Sequence, residues 1–281
     1  MKKIGVIGTG TMGCGIAQVA AQIRCDVIFQ NRKQDSVDRG LGRIEAGLAK
    51  LVSRDKLTQA QSEGILGRIR GAVPLEELKE CDLVIESAPE DLELKRDLLE
   101  KLGGIVTDDC IIATNTSSLS ITKLASFVEH PGRFVGMHFF NPVPAMKLVE
   151  VVRGMQTSDE TVAAVRDFSA ELGKVPIDVK DAPGFVVNRV LFPMINEAAF
   201  ALSEGVSDAH GIDECMKGGC NHPMGPLALA DLVGLDVVCA ILESLYREYG
   251  NPRYAPCLEI VKRVETGWLG RKTGRGFYEY G

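Results

Sequence analysis

The chain contains 281 residues, of which 45% are hydrophobic and 25% are charged. These proportions are ordinary for a soluble globular protein and exclude a disordered chain, a collagen-like repeat and a disulfide-dense miniprotein. The formal net charge of −6 argues against general binding of nucleic acid, although a local group of basic residues could still hold a phosphate. At about 150 residues per domain, the length predicts two domains.

The sequence shows no signal for export or for membrane insertion. No apolar run approaches the roughly 18 residues that a membrane span requires. The N-terminal Met1-Lys2-Lys3 leads straight into a strand-like segment, without the apolar core and cleavage site of a signal peptide. The eight cysteines are scattered and form no C-x-x-C pair, which predicts reduced thiols and neither disulfides nor a metal site. We therefore expect a cytoplasmic protein.

Over the first two-thirds of the chain, short segments rich in β-branched residues alternate with stretches of helical periodicity. Strands are predicted at residues 3–7, 27–30, 83–86, 110–114, 134–137, 148–152 and 175–179. Helical spacing lies between them, as at residues 13–23, 92–102 and 158–172. This alternation is typical of an α/β protein with a Rossmann-type, doubly wound, mainly parallel sheet covered by helices on both faces.

Two regions depart from this alternation. Residues 35–67 form a segment too long for an ordinary crossover, and they predict an inserted helical pair with Lys50, Arg54 and Lys56 near its turn. After residues 181–184 the strand signals fade. Helices are predicted at residues 185–205, with an interruption at Pro193, and then at 208–216, 227–232, 237–249 and 256–265. We expect a Rossmann-type domain at residues 1–183 and an all-helical domain at residues 184–281.

A glycine-rich turn joins the first predicted strand to the first predicted helix. It reads G-x-G-x-x-G, with the candidate contacts Gly8, Gly10, Thr11, Met12 and Gly13. The glycines permit a tight turn, backbone approach to a pyrophosphate and close packing of helix on strand, while the helix N-terminus attracts the anion. A glycine-rich turn that binds nothing is the alternative. The position at the start of a βαβ unit favours a dinucleotide.

The end of the second predicted strand bears on which dinucleotide binds. NAD-binding folds usually place a carboxylate there, on the ribose hydroxyls. This chain instead has Asn31 followed by Arg32 and Lys33. A neutral amide beside a guanidinium suits the 2′-phosphate of NADP, which a carboxylate would repel. In the alternative interpretation Arg32 and Lys33 lie in a solvated turn, and Asn31 still hydrogen-bonds the ribose of NAD.

Among the four histidines, His138 is the candidate acid or base, because it lies at the end of a predicted strand. Glu150 lies in the next apolar run, where a carboxylate needs a partner. If the two strands pair, Glu150 could reach His138, fix its tautomer and stabilise the imidazolium. Such a pair orients a general base that acts on an alcohol. A core histidine bound to backbone groups is the alternative.

Two further polar residues are candidates for contact with the reacting oxygen. Ser117 lies in a run of small hydroxyl and amide side chains after another strand end, and Asn188 lies in an apolar helix start after Gly184. An ordinary turn with a helix N-cap, at Ser118 or Ser120, explains the first equally well. A buried capping amide explains the second equally well.

Together these motifs resemble those of the L-3-hydroxyacyl-CoA dehydrogenase family, and most of all its bacterial short-chain members that act on 3-hydroxybutyryl-CoA. The resemblance extends over the whole chain through residues 8–13, 113–119, 137–142, 146–150, 181–189, 222–226 and 270–278. It implies interconversion of (S)-3-hydroxybutyryl-CoA and acetoacetyl-CoA by hydride transfer with NAD or NADP. A dehydrogenase of a free hydroxy acid or sugar acid and a catalytically idle dinucleotide-binding protein are the alternatives.

The resemblance also implies roles for individual residues. His138 is the base with Glu150 as its partner, and Ser117 and Asn188 contact the reacting oxygen. Cofactor contacts are implied for a group of polar residues: Glu90, Lys95, Ser117, Asn141 and Lys272. Contacts with CoA are implied for Lys50 and Arg54, and the helical domain is implied as the surface of a homodimer. Asn31 departs from the acidic residue common in NAD-using members, which favours NADP over NAD.

Overall fold

The computed structural model describes residues 1–281 and divides into two compact units, Met1–Ala182 and Pro183–Gly281. All eight strands belong to the first unit, and the second is built from helices. No helix combines the length and the apolar character needed to cross a membrane.

One eight-stranded sheet organises the first unit. Its strands are β1 (Lys3–Ile7), β2 (Asp26–Gln30), β3 (Ile69–Ala72), β4 (Leu83–Glu86), β5 (Ile111–Thr114), β6 (Phe134–Phe139), β7 (Leu148–Arg153) and β8 (Val175–Lys180). Their order is β3-β2-β1-β4-β5-β6-β7-β8. Only the β6–β7 pair is antiparallel. The strand order reverses direction between β1 and β4, which is where such sheets open a crevice at the carboxyl ends of their strands.

Six helices cover this sheet: α1 (Thr11–Gln22), α2 (Gln34–Val52), α3 (Gln59–Leu66), α4 (Leu92–Gly103), α5 (Ile121–Ala125) and α6 (Asp159–Glu171). The predicted inserted pair is present as α2 and α3. The side chain of Thr58 and that of Gln61 form a capping box at the start of α3. Ile44 and Leu48 of α2 are buried against the sheet, so the pair is packed onto the core by one apolar stripe.

The second unit contains α7 (Val187–Ser203), α8 (Ala209–Cys220), α9 (Pro226–Val233), α10 (Leu235–Tyr249) and α11 (Leu258–Glu265). Its core includes Ile195, Leu235 and Leu242, all fully buried. Two buried carboxylates hold its loops. Asp213 accepts hydrogen bonds from the first backbone N–H groups of α9, and Asp231 accepts them from the C-terminal segment at residues 277 and 278.

Three details of the predicted elements are wrong. The predicted helix at Phe185 begins only at Val187, because Gly184 and Phe185 adopt left-handed backbone conformations with φ of 77° and 48°. Pro193 does not interrupt α7, since buried Phe192 and Ile195 on either side hold the helix in the core despite the lost hydrogen bond. Strand β3 was not predicted, because Ile69-Arg70-Gly71-Ala72 has neither alternation nor a run of β-branched residues.

Candidate active site

The turn between β1 and α1 has the geometry of an anion-binding site. A Cβ atom on Gly8 would lie 2.3 Å from the carbonyl oxygen of Ser87, and one on Gly13 would lie 1.8 Å from the carbonyl oxygen of Gly8. Side chains are therefore excluded at both positions. Gly10 is the N-cap of α1, with no side-chain hydrogen bond to the helix and no acidic residue in the first turn. No atom lies within 4 Å of a Cβ built on Gly10, so an anion can approach the N–H groups of Thr11 and Met12.

A cavity of about 390 Å³ lies beside this turn at the carboxyl ends of the strands. Its apolar wall includes Leu75, Leu94 and Leu98, and its polar rim includes Asn31, Arg32, Asp97 and Lys101. An apolar slot with a polar rim fits a flat heterocycle whose sugar and phosphates remain near the opening.

The side chain of Asn31 is anchored within this rim. Its amide nitrogen donates to Thr9 Oγ1 at 3.1 Å, and its oxygen accepts a hydrogen bond from the Lys33 N–H at 3.3 Å. These bonds fix the amide at the end of β2. A neutral group therefore stands where the pattern of NAD-binding folds usually has a carboxylate.

His138 and Glu150 are partners in the β6–β7 ladder, and the distance from His138 Nδ1 to Glu150 Oε2 is 2.7 Å. Both are buried, with 6% and 1% of their surface exposed. The Phe140 ring packs against the imidazole at 4.5 Å between centroids. The predicted contact between the two side chains is thus present, and it is direct.

The strand end that carries His138 is held by two residues that sequence reasoning missed. Asn115 Oδ1 accepts the Phe139 N–H at 2.9 Å, which ties the end of β6 to the end of β5. The buried ammonium of Lys174 donates to the carbonyl oxygens of Val143 and Met146 and anchors the loop that follows β6. Burial lowers the pKa of Lys174. Both contacts join residues more than twenty positions apart, so no local pattern indicated them.

Glu90 organises the turn that contains Ser117. Its Oε1 accepts hydrogen bonds from the Ser117 N–H at 2.9 Å, from the Ser118 N–H at 3.0 Å and from the Thr116 hydroxyl. Burial alone would raise the pKa of Glu90, but nearby Lys95 and these hydrogen bonds outweigh it and lower the pKa. The N-cap of α5 is Ser120. The helix cap is thus at one of the two positions expected for an ordinary turn. The half-buried side chain of Ser117 precedes it, with its Oγ 3.5 Å from Glu90 Oε1.

Lys95, an expected cofactor contact, is engaged in a buried ion pair. Its Nζ lies 2.6 and 2.8 Å from the two carboxylate oxygens of Glu86 and 3.7 Å from Glu90 Oε2. Only 1% of the Lys95 side chain is exposed. The Lys95 ammonium thus contacts the carboxylates of Glu86 and Glu90. Glu86 was not predicted from the sequence, because it reads as the last residue of an ordinary buried strand.

The other predicted residues of the first unit are exposed. Asn141 lies two residues after the end of β6, Lys50 lies in the last turn of α2, and Arg54 lies two residues after the end of that helix. Their side chains are accessible to a bound ligand.

Two predicted residues belong to the second unit. Asn188 is a buried residue in the first turn of α7, just after the left-handed Gly184 and Phe185. Lys272 lies in a short 3₁₀ turn and donates to both carboxylate oxygens of Asp236, at 2.6 and 2.7 Å.

Comparison with known proteins identifies the family of both units. Residues 3–182 match the model of the 3-hydroxyacyl-CoA dehydrogenase NAD binding domain, and residues 184–280 match that of the 3-hydroxyacyl-CoA dehydrogenase C-terminal domain. The chain belongs to the 3-hydroxyacyl-CoA dehydrogenase family. The family resemblance and the fold class expected from the sequence are therefore confirmed.

Individual relatives are similar over their full length. A probable 3-hydroxybutyryl-CoA dehydrogenase of Deinococcus radiodurans is 51% identical over 99% of this chain and 100% of its own. A 3-hydroxybutyryl-CoA dehydrogenase of Clostridioides difficile is 49% identical, with 99% of each chain covered. The crystal structure of (S)-3-hydroxybutyryl-CoA dehydrogenase from Ralstonia eutropha is 50% identical, with a TM-score of 0.98 and coverage of 100% and 99%.

The family's cofactor fits the residues of the first unit. This unit is an NAD-binding domain of the family, and the open approach to Gly10 at the start of α1 suits the pyrophosphate of such a cofactor. The adjacent cavity, with Leu75 and Leu94 in its wall, suits the adenine ring.

Proposed function

We propose that the protein interconverts (S)-3-hydroxybutyryl-CoA and acetoacetyl-CoA by hydride transfer with a nicotinamide dinucleotide. Relatives of about 50% identity over nearly the whole chain bear the name of this activity. The observation that carries the proposal is the direct contact between His138 and Glu150, in the unit that also contains the glycine-rich turn.

His138 is the general acid and base of this proposal. A nicotinamide dinucleotide held by the glycine-rich turn would supply the hydride to C3 of the substrate, or would accept it from C3. His138 donates a proton to the oxygen on C3 during reduction and removes it during oxidation. Because Nδ1 faces Glu150, Nε2 is the nitrogen that exchanges this proton. The carboxylate fixes the tautomer and stabilises the imidazolium form.

Ser117 and Asn188 are the proposed hydrogen-bond donors to the reacting oxygen. Glu90 supports the role of Ser117, because its carboxylate accepts hydrogen bonds from the Ser117 N–H and from the Ser117 hydroxyl and so fixes the half-buried side chain. The support for Asn188 is its sequence motif and its burial at the start of α7.

The remaining contacts are proposed on the family motifs. The glycine-rich turn binds the pyrophosphate through Gly8, Gly10, Thr11, Met12 and Gly13. Further cofactor contacts come from Asn31, Arg32, Glu90, Ser117, Asn141 and Lys272. Lys95, expected among them, has its ammonium buried on Glu86 and supports these contacts through Glu90. The exposed cations Lys50 and Arg54 bind the phosphates of CoA. We also propose a cytoplasmic homodimer with its interface on the second unit, where Val190 and Val206 expose apolar side chains.

We propose NADP as the preferred cofactor. The cavity rim presents Arg32 and Lys101 with neutral Asn31, and Asp97 is the one carboxylate among its lining residues. Two cations beside a neutral amide favour a 2′-phosphate over a free hydroxyl. A strong preference for NAD, or equal kcat/KM with the two cofactors, would contradict this proposal.

The decisive experiment compares substrates and cofactors in one assay. Oxidation of NADPH and of NADH is followed with acetoacetyl-CoA, with longer 3-ketoacyl-CoA thioesters and with free acetoacetate. The proposal predicts turnover that requires the CoA moiety. Equal turnover of free acetoacetate indicates a dehydrogenase of free acids, and absence of turnover with every substrate indicates a protein that only binds dinucleotides.

A further inference from the structure

The carboxylate of Glu86 is completely buried at the end of β4, where its register partners are Ile7 of β1 and Thr114 of β5. It accepts hydrogen bonds from the Ala88 N–H at 2.6 Å and from the Thr114 hydroxyl at 2.6 Å, in addition to those from Lys95. A buried ion pair of this kind contributes little net stability compared with apolar residues of the same size. Its presence beside the candidate site therefore requires another explanation.

Lys95 connects Glu86 to the wall of the cofactor cavity. Lys95 belongs to α4, and Leu94, Leu98 and Lys101 of the same helix line the cavity. Lys95 itself is directed to the other side, into the protein, where Glu86 holds its ammonium. The Glu86–Lys95 contact is therefore one of the buried contacts that fix the position of α4, together with those of Leu99 and Leu102, and α4 carries the cavity wall.

Glu86 is also linked to the turn that presents Ser117, by two routes. One runs through Lys95 to Glu90, whose other oxygen binds the N–H groups of Ser117 and Ser118. The second runs through the Thr114 hydroxyl, which both donates to Glu86 and accepts the Thr116 N–H at 3.3 Å. The Glu86 carboxylate thus binds α4 through Lys95, and it binds the start of the Ser117 turn through Thr114.

We propose that Glu86 is a positioning residue that holds α4 and the Thr116–Ser118 turn in one relative geometry. The dinucleotide in the cavity and the Ser117 hydroxyl are then aligned before the substrate arrives. This inference rests on the role of Ser117 in the proposed function. When groups that orient a reaction are misplaced by about 1 Å, the reaction rate falls by about 100-fold. A buried residue that fixes the positions of such groups therefore affects catalysis without touching the substrate.

The test compares Glu86→Gln with the matched control Glu80→Gln. Glu80 pairs with Lys3 on the surface, and 77% of its side chain is exposed. The assays are run well below the melting temperatures of the wild type and of the variants. We expect Glu86→Gln to lower kcat by about 10- to 100-fold and to raise the dinucleotide Kd by about 10-fold. The KM for acetoacetyl-CoA should stay within about twofold, since CoA is bound elsewhere. Glu86→Asp, which keeps the charge, should recover part of the loss, and Glu80→Gln should match the wild type.

A purely structural role gives a different result. In that case Glu86→Gln lowers the melting temperature while kcat and the dinucleotide Kd of the folded enzyme equal those of the wild type, and this outcome overturns the proposal. If Glu86→Gln does not fold, Thr114→Val serves instead, since it removes one donor to Glu86 and keeps the side-chain volume. A fall in kcat of about 3- to 10-fold supports the proposal, and an unchanged kcat overturns it.

The binding measurement separates this inference from the proposed function. Titration of the dinucleotide, followed by fluorescence, requires no acyl-CoA substrate. If the wild type binds dinucleotide but does not reduce acetoacetyl-CoA, the proposed function is wrong. The dinucleotide Kd of Glu86→Gln then decides the positioning role alone: an increase of about 10-fold supports it, and an unchanged Kd overturns it.

Discussion

His138 and Glu150 lie opposite each other on the only antiparallel strand pair of the sheet, and their side chains meet at 2.7 Å. The contact follows from strand register, because paired residues in a ladder project to the same face. The proposed acid–base pair is therefore part of the sheet and does not depend on a mobile loop for its geometry.

We expect His138→Gln to lower kcat by about 100- to 10,000-fold, with KM for acyl-CoA nearly unchanged, because the substitution removes proton transfer and leaves substrate contacts in place. Steady-state kinetics with acetoacetyl-CoA measure both constants. His130→Gln is the matched control, since His130 is an exposed residue beside Asp108. Turnover of His138→Gln near the wild-type level would refute the role of the imidazole.

Glu150→Gln should retain the shape of the buried contact but lose the charge that stabilises the imidazolium. We expect kcat to fall by about 100-fold or more, while the dinucleotide Kd stays within about twofold. Kinetics and fluorescence titration measure the two effects. Glu160→Gln, at an exposed position in the first turn of α6, is the control. A variant that loses dinucleotide binding together with kcat would indicate a general disruption of the unit.

Substitutions at two glycines of the glycine-rich turn should distinguish an effect on dinucleotide binding from an effect on folding. Gly10→Ala places a methyl group in open space where the pyrophosphate is expected, so the dinucleotide Kd should rise by about 10-fold with an unchanged melting temperature. Gly13→Ala places it 1.8 Å from the Gly8 carbonyl oxygen, so the melting temperature should fall by about 5 °C or more. Calorimetry and titration measure both. Unchanged dinucleotide affinity in Gly10→Ala would show that the anion lies elsewhere.

Asn31→Asp tests the cofactor proposal. A carboxylate at the end of β2 repels a 2′-phosphate and accepts hydrogen bonds from ribose hydroxyls, so kcat/KM with NADPH should fall by about 10-fold or more and that with NADH should rise. The ratio of the two constants is the measurement. Lys33→Gln, a charge change at the exposed neighbouring residue, should leave the ratio nearly unchanged. If Asn31→Asp has no effect on the ratio, the amide does not set the cofactor preference.

The lowered pKa of Glu90 predicts how stability depends on pH. A carboxyl group whose pKa is lower in the folded than in the unfolded protein stabilises the fold above its ordinary pKa of 4.5, and the stabilisation is lost as the pH falls through the folded-state pKa. Glu90→Gln should therefore melt below the wild type at pH 7, and the difference should shrink below about pH 4. Thermal melts across this range measure it, with exposed Glu100→Gln as the control. A difference that grows on acidification would contradict the charge-based explanation.

The features that could be predicted from the sequence are those with a local signature. The glycine-rich turn is one, and the placement of His138 and Glu150 on neighbouring strands is another. The supporting contacts have no such signature. Asn115 and Lys174 act on backbone groups distant in sequence, and Glu86 is indistinguishable from any other strand residue until its partner on α4 is seen. Prediction from one sequence therefore identified the groups proposed for the chemistry and missed the groups that hold them.

Strand β8 keeps β7, and with it Glu150, away from the edge of the sheet. It hydrogen-bonds to the far side of β7, where Ile177 is the register partner of Glu150, and it forms the outer border itself. Exposed borders tend to pair with foreign strands. In this sheet the exposed residues of the edge strand β8 include Val175 and Ile177, which have no proposed chemical role. Substitutions at this edge, and association with another chain through it, therefore occur one strand away from Glu150.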